Sequence, residues 1–424
     1  QDNWHVCLSI PGAEEEILRK VHSSLSFLCE TSFAGFRVEE RIENARRSNP
    51  MIAGLDWIVL ALYVCVVIAI GIRAGRKETT VEDYFLGGRK MPWILVMISI
   101  YATAASALTF IGVPGAAFGG DFHYLQLGIG DFVARILIAV LFLTAYYKGH
   151  VTTVYEFLGQ RFGPRSRDAG TGYWRSPVPS LTWRTSAGCA IALSVVFEVP
   201  MNIAIVLIAL TALIYTMLGG IKAVIWTDTL QFCLFIGGAL IALVTIWLAL
   251  PGGFSEFLSV GSEFGKFKIF HISANPAHKD FFLNLNNPSS LAAGFLFGCF
   301  TTFAALGTDQ DLVQRMLTCE KVKQSQKALI LTAVINFPIT LLFLSVGAAL
   351  FVYYHAFPDS SVNALAAAGH NDYVFPHFIR VIMAPGLRGF LIAGLLAAAM
   401  SSLDSALNAL SSTAYVDIYR NYIR

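Results

Sequence analysis

Four stretches of this sequence group residue types that can do chemistry. The first runs from Ala102 to Gly115 and reads ATAASALTFIGVPG. Its small residues allow close helix approach, while Gly112, Pro114 and Gly115 allow a helix to unwind. An opened helix frees carbonyls that would have bonded four residues along, and Ser106 and Thr109 add hydroxyls, so the stretch can coordinate a cation. Small-residue packing around a proline kink is the competing reading. The second stretch, residues 398–408, places Ser401, Ser402, Asp404 and Ser405 in or near the last apolar segment. Paired hydroxyls and a carboxylate are hard oxygen ligands, the kind Na+ prefers. A carboxylate inside a membrane helix is costly enough to imply a function, unless Asp404 sits at the cytoplasmic end where water reaches it. The third, residues 219–231, carries Asp228 at the start of an apolar run. Packed against Ser401 to Ser405, it can supply the charge for a second cation; alternatively it is a helix N-terminal carboxylate stabilised by the macrodipole. The fourth, Gly307 to Arg315, crowds polar residues at the end of an apolar segment, which suits an inner gate or a solvated helix terminus. No phosphate loop, zinc spacing or nucleophile elbow is present, so no enzyme is expected.

The elements that must position these groups are membrane helices. Hydrophobic residues make up 55% of the 424 positions and charged ones 14%, with a mean hydropathy of +0.61; soluble domains carry roughly 25% charged residues. The apolar residues come in blocks near the ~20 residues that cross a bilayer. Spans are expected at residues 57–72, 92–118, 127–147, 197–218, 223–250, 289–307, 328–356 and 386–413, with Gly294 and Gly298 loosening the sixth. Short cytoplasmic loops should carry the excess of Lys and Arg. That rule places Arg73, Arg76, Lys77, Arg89 and Lys90 inside, together with Lys148, Arg161, Arg165, Arg167, Lys222, Arg315, Lys321, Lys323, Lys327, Arg420 and Arg424. Eight crossings break this alternation, and a ninth between residues 168 and 196 restores it. Yet Trp174, Arg175, Pro177, Pro179, Trp183 and Arg184 make that stretch a poor spanning helix. Residues 251–287 read as a plain extracellular or periplasmic connector. A net charge of +2, spread over short loops, excludes nucleic acid as a partner. Seven cysteines without paired spacing or a nearby histidine cluster support neither disulfides nor a metal site. Residues 1–50 are mixed in charge and unlike a signal peptide, and Met51 reads as the natural start of a membrane protein.

At these stretches the chain resembles the sodium:solute symporter family, which includes sodium/glucose, sialic acid and proline symporters. The matching residues are Glu82 to Arg89 (EDYFLGGR), Ala223-Val224 with Trp226-Thr227-Asp228 and Gln231, Gly307 to Gln310 with Gln314-Arg315, and Ser401 to Ser405. The resemblance runs from Met51 to the end and implies an all-α multi-pass fold of the LeuT type, two inverted five-helix repeats preceded by one extra helix, with binding at the midplane. It implies a main sodium site on the carbonyls of Ala102, Ala105 and Ala398 and the hydroxyls of Ser401 and Ser402. A second sodium site would use Asp228, Ser401, Asp404 and Ser405, with Asp404 standing where a serine is found in other members. Solute contacts fall on Ser106, Thr109, Phe122 and Gln126.

Sodium-coupled symport of a small polar organic solute (a sugar, sialic acid, amino acid or carboxylate) by alternating access is the implied function. The expected setting is the cell membrane, with Na+ as coupling ion, the solute and the lipid bilayer as partners, and no required protein partner. Residues 1–50 are expected to be an extension outside the transporter domain at 51–424. Residues 174–187 replace an expected apolar helix, as a local frame error would, and the last two helices of the second repeat fall beyond Arg424. A transporter-like sensor, a channel and a non-transporting fragment are the alternatives.

Overall fold

Long apolar runs, capped where a polar residue or glycine allows, set the helices. The computed structural model describes residues 53–76, 80–175, 201–273, 275, 281–287 and 290–423, all in one unit covering Ile52–Arg424. Residues 1–50 and 176–196 therefore lie outside the described residues. The helix α1 (Gly54–Gly75) precedes the short α2 (Val81–Leu86). The Thr80 hydroxyl starts α2 by accepting the Asp83 amide at 3.0 Å, and Gly87, at φ 61°, ends it in the left-handed conformation. Next come α3 (Trp93–Ala104), α4 (Ala107–Gly119), α5 (Leu127–Lys148), α6 (Val154–Phe162) and α7 (Pro164–Arg175). The second half holds α8 (Met201–Ala249), α9 (Gly253–Glu263), α10 (Leu291–Thr302), α11 (Gln310–Met316), α12 (Val322–Ala356), α13 (Ser360–Ala367), α14 (Val374–Val381) and α15 (Leu387–Thr413).

Six helices among the described residues are long and apolar enough to cross a membrane, and α3 with α4 makes a seventh span bent by 60°. The longest of them, α8, is two crossings. Gly220 sits at φ 50°, ψ −151°, a backbone conformation that only glycine adopts readily. Contacts on either side of it run in opposite senses. Gly71 and Gly75 of α1 touch Tyr215 and Leu218, so the first arm runs parallel to α1. Asp56 and Tyr63 of α1 meet Gly389 and Met400, so α15 is parallel to α1 as well. The second arm meets α15 head to tail, Leu234 beside Gly394 and Gly237 beside Phe390. The chain thus turns back at Gly220, and the described part of each of the eight expected spans falls on a helix, positions 197–200 and 289 lying outside the described residues. The parallel first arm begins on the same side as Gly54; of the ninth crossing expected between residues 168 and 196, positions 176–196 lie outside the described residues.

The basic loops meet on one face. Arg89 donates to the Val151 carbonyl at 2.9 Å, Lys222 lies 3.9 Å from Asp83, and Arg420 pairs with Glu156 at 3.1 Å. Arg315 departs from the expected pattern. It is wholly buried among α3, α8 and α15 rather than in a cytoplasmic loop.

The helix breaks also fall elsewhere than expected. Gly112, Pro114 and Gly115 lie inside the continuous α4, and the bend comes earlier, at Ala105-Ser106. The backbone ladder stops where Ala105 N–H bonds the Tyr101 carbonyl at 2.8 Å, and it resumes where Thr109 and Phe110 bond the Ser106 carbonyl. The second break is at Asp309, between a π-helical turn over Phe303–Thr308 and α11. Gly294 and Gly298 do not loosen α10; a side chain on Gly298 would stand 2.2 Å from the Leu127 carbonyl, so its role is close approach to α5.

The tightest crossing that holds the bent helix is α4 on α12, where a Cβ on Gly347 would lie 2.1 Å from the Pro114 carbonyl oxygen. Overpacking of this kind costs about 1–3 kcal/mol or more. Gly347→Val should therefore lower the melting temperature of the purified protein, whereas Gly112→Ala, with nothing within 4 Å of the added carbon, should leave it unchanged or slightly raised. Equal melting of the two variants would show that this crossing does not support the bend.

Candidate cation and solute site

The bend at Ala105-Ser106 opens onto two spaces. One is a void of about 10 Å³ lined by Ala102, Ala105, Gln231, Phe232, Phe235, Ala398 and Ser401. That is close to the ~10–15 Å³ that one water needs, so it suits a small, dehydrated guest. Three of its lining residues come from the bend and from α15 and match the expected carbonyl set, and Ser401 supplies a hydroxyl. The Ser401 hydroxyl donates to Asp228 Oδ1 at 2.8 Å. With its proton committed there, the serine oxygen keeps its lone pairs for a cation. Ser402, the remaining expected ligand, lines the larger space next door. The donor set of carbonyls and hydroxyls is chemically suited to Na+.

Behind the void stands a buried charge cluster. Asp228, Asp404 and Ser405 do meet, but around the Arg315 guanidinium. Its Nη2 lies 3.1 Å from Asp228 Oδ2, 2.6 Å from Ser405 Oγ and 3.8 Å from Asp404 Oδ1, while Nε donates to Ser99 Oγ at 2.9 Å and Nη1 to the Asp311 carbonyl at 2.7 Å. Ser99 in turn donates to Asp228, Tyr215 donates to Asp404, and the Ser405 hydroxyl also reaches the Ser401 carbonyl. Two of the alternatives for these carboxylates fall. Asp404 is not a solvated terminal residue, since it is fully buried. Asp228 is not a helix-capping carboxylate, since it lies two turns past Gly220 with a guanidinium partner.

The fourth stretch is a plug rather than a solvated end. Gln310 accepts from the Val154 amide at 2.9 Å, and Gln314 donates to the Phe85 carbonyl at 2.7 Å and accepts from Ser412 at 3.2 Å. It thereby joins both inner loops to α15.

The larger space is a cavity of about 360 Å³. Ser106 and Thr109 line it, as expected of solute contacts, and so do Tyr124, Asp131, Arg135 and Asn336. Phe122 and Gln126 take a different place. The Gln126 side chain donates to the Ile269 carbonyl at 2.9 Å, and the Phe122 ring packs on Phe267 with centroids 5.4 Å apart. Their partners belong to residues 264–271, which form a strap over the outer end of α4 rather than a plain connector. Within the strap, Lys266 Nζ donates to the carbonyls of Phe118 at 2.7 Å and Gly120 at 3.0 Å and lies 3.8 Å from the centre of the Phe351 ring.

Two polar residues of the cavity wall escaped the sequence reading. Asp131 accepts from Arg135 Nε at 2.9 Å, from Thr302 at 2.7 Å and from Asn336 at 3.2 Å, joining α5, α10 and α12. Their signal was present, because ionisable residues four apart inside an apolar span already imply a function.

With this geometry the comparisons agree. The sequence profile of the sodium:solute symporter family matches residues 84–424, and the chain belongs to that family, whose members are transporters and not enzymes. It is 32% identical to the sodium/sialic acid symporter SiaT of Proteus mirabilis over 372 residues, covering 86% of this chain and 71% of the relative. The sodium/glucose cotransporter of Vibrio parahaemolyticus is 28% identical, with 87% and 69% covered. The fold matches the substrate-bound, outward-open structure of a Na+-coupled sialic acid symporter, described as revealing a novel Na+ site. That match has a TM-score of 0.75 and 28% identity over 88% of this chain and 76% of the other. The architecture is accordingly the all-helical LeuT type with two broken helices.

Breaking a buried pair by removing one partner costs about 3–5 kcal/mol. Arg315→Gln should thus lower thermal stability sharply, and Asp404→Ser in the same protein should recover part of the loss, because one of two uncompensated carboxylates is gone. No recovery in the double variant would mean that Asp404 does not share the Arg315 charge. For the strap, burial pulls the Lys266 ammonium down to about 8 from 10.5, and Asp121 only partly restores it. Between those values the unfolded chain binds more protons than the folded one, so stability should rise with pH across that window. A ¹⁵N-lysine NMR titration should find one signal with a midpoint near pH 8, lost in Lys266→Met; only ordinary lysine midpoints would refute the burial argument.

Proposed function

We propose that the protein is a sodium-coupled symporter of a small polar organic solute, with Na+ held among the carbonyls of Ala102, Ala105 and Ala398 and the hydroxyls of Ser401 and Ser402. The observation that carries this reading is that Ala105 lines both the small void and the large cavity. A cation in the void draws the bend and α15 together, and that brace sets where Ser106 and Thr109 stand in the cavity wall. Solute affinity then depends on sodium, and each charge carried inward gains ~2.3 kcal/mol per 100 mV. The names of the relatives, sialic acid and glucose symporters, support a polyhydroxylated or carboxylate-bearing solute, and the Asp131-Arg135-Asn336 group offers both donors and acceptors to it. The cell membrane is the setting this activity needs.

Asp228, Asp404 and Ser405 are read as framework around Arg315, which already supplies a cation at that point. One sodium per cycle follows from this reading. In proteoliposomes with an inward sodium gradient and a mixed panel of labelled solutes, uptake of one solute should rise with sodium along a curve of Hill coefficient near one. Ser401→Ala with Ser402→Ala should abolish the sodium stimulation while leaving insertion intact. Sodium stimulation retained in that variant would sink the site assignment, and a coefficient near two would return Asp228, Asp404 and Ser405 to the ligand set.

A further inference from the structure

We propose that Asp121, His123 and His271 form a binding site for a borderline divalent transition-metal ion, zinc being the representative, on the outer face of the protein. The three side chains come from two separate parts of the chain, the connector between α4 and α5 and the strap. Their ligating atoms all lie within 4.8 Å of one another. One carboxylate oxygen of Asp121 is 2.7 Å from His123 Nδ1 and the other is 2.6 Å from His271 Nε2, with the two rings nearly perpendicular. An ion in their midst replaces two hydrogen bonds with two metal–nitrogen bonds: the proton that each ring donates to Asp121 leaves that nitrogen, and the ligating neutral imidazole carries its proton on the other one. Two imidazoles and a carboxylate select zinc, copper, nickel or cobalt over magnesium and calcium, which take oxygen. Asp121 is 15% exposed and the histidines 36% and 22%, so the site is sheltered yet open to the outer medium. Protein ligands fill three positions of a tetrahedron and leave the fourth to water.

The site lies where it has mechanical effect. The strap already holds the outer end of α4 and the start of α5 through Lys266, through the Phe122 amide on the Lys268 carbonyl at 3.1 Å, and through Gln126 on Ile269. A metal ion adds a strong link between the same two segments, next in sequence to Tyr124 and Leu125, which line the large cavity.

The test is calorimetric titration of the full chain, stripped with chelator and kept in detergent, with Zn2+ alone. One saturable event is expected in the original protein, none with Mg2+ or Ca2+, and at least a roughly tenfold loss of Zn2+ affinity in His123→Ala and in His271→Asn, since even second-shell changes cost roughly 10–100-fold. Should those variants misfold, Co2+ serves as the probe in the original protein and in His271→Cys. Four-coordinate visible bands are expected in both, with an added sulfur charge-transfer band in the variant. Zn2+ binding unchanged in His123→Ala, or no binding by the folded original, would overturn the proposal and leave a metal-free hydrogen-bonded latch. Binding lost only in His377→Ala would also overturn it, by moving the metal to the Asp359–His377 pair.

Discussion

Everything near the site depends on one buried ion pair, Asp228 with Arg315. A carboxylate and a guanidinium withdrawn from water cost several kcal/mol each unless their remaining lone pairs and protons are met, and here nearly all of them are. Ser99 of α3, Ser401 and Ser405 of α15, the Asp311 carbonyl of α11 and the pair itself on α8 and α11 close one hydrogen-bonded knot. Four helices are thereby fixed at one point inside the bilayer, where no water is available to replace a lost partner. Through Ser401 the same knot borders the void.

Around the knot the two broken helices share the large cavity but differ in their other partners. The break at Ala105-Ser106 faces the void and the cavity, where freed backbone can meet an ion. The break at Asp309 faces Gln310 and Gln314, which stitch the inner loops to α15. Irregular backbone persists at membrane depth only where it is buried in protein or lines a cavity, and both breaks line the large cavity, Ala105-Ser106 on one side and Asp309 on the other. The strap performs for the outer end what the glutamines perform for the inner one. Polar contacts hold both ends of the large cavity, and a buried ion pair holds the helices between them.

How much of this was legible in the sequence differed from residue to residue. Spans were visible because apolar length is a local property, and the set Ala102, Ala105, Ala398 and Ser401 was legible through the resemblance. The position of the first break was misjudged because Gly and Pro permit unwinding without requiring it: Pro114 stays helical when Gly347 lets its carbonyl approach α12. Arg315 was counted as a loop charge because the positive-inside rule weighs position along the chain and not partners. The resemblance points Phe122 and Gln126 at the solute, while the structure packs them on the strap, a weakly patterned loop. The Asp121, His123 and His271 cluster had no sequence signal, its members being 2 and 148 residues apart.

By itself the sequence determined that this is a helical membrane protein with hard oxygen groups inside its spans. Hydrophobic length and the cost of burying polar atoms leave few other outcomes for such a composition. Only the tertiary structure decided which charges meet. Asp228 and Arg315 lie 87 residues apart, and Tyr215 and Asp404 are 189 apart. Pairing across such distances is set by helix packing, through close approaches such as Gly71 on Tyr215 and Gly389 on Asp56. Those contacts carry no local pattern, because what matters is the absence of a side chain opposite a neighbour that the linear chain does not reveal.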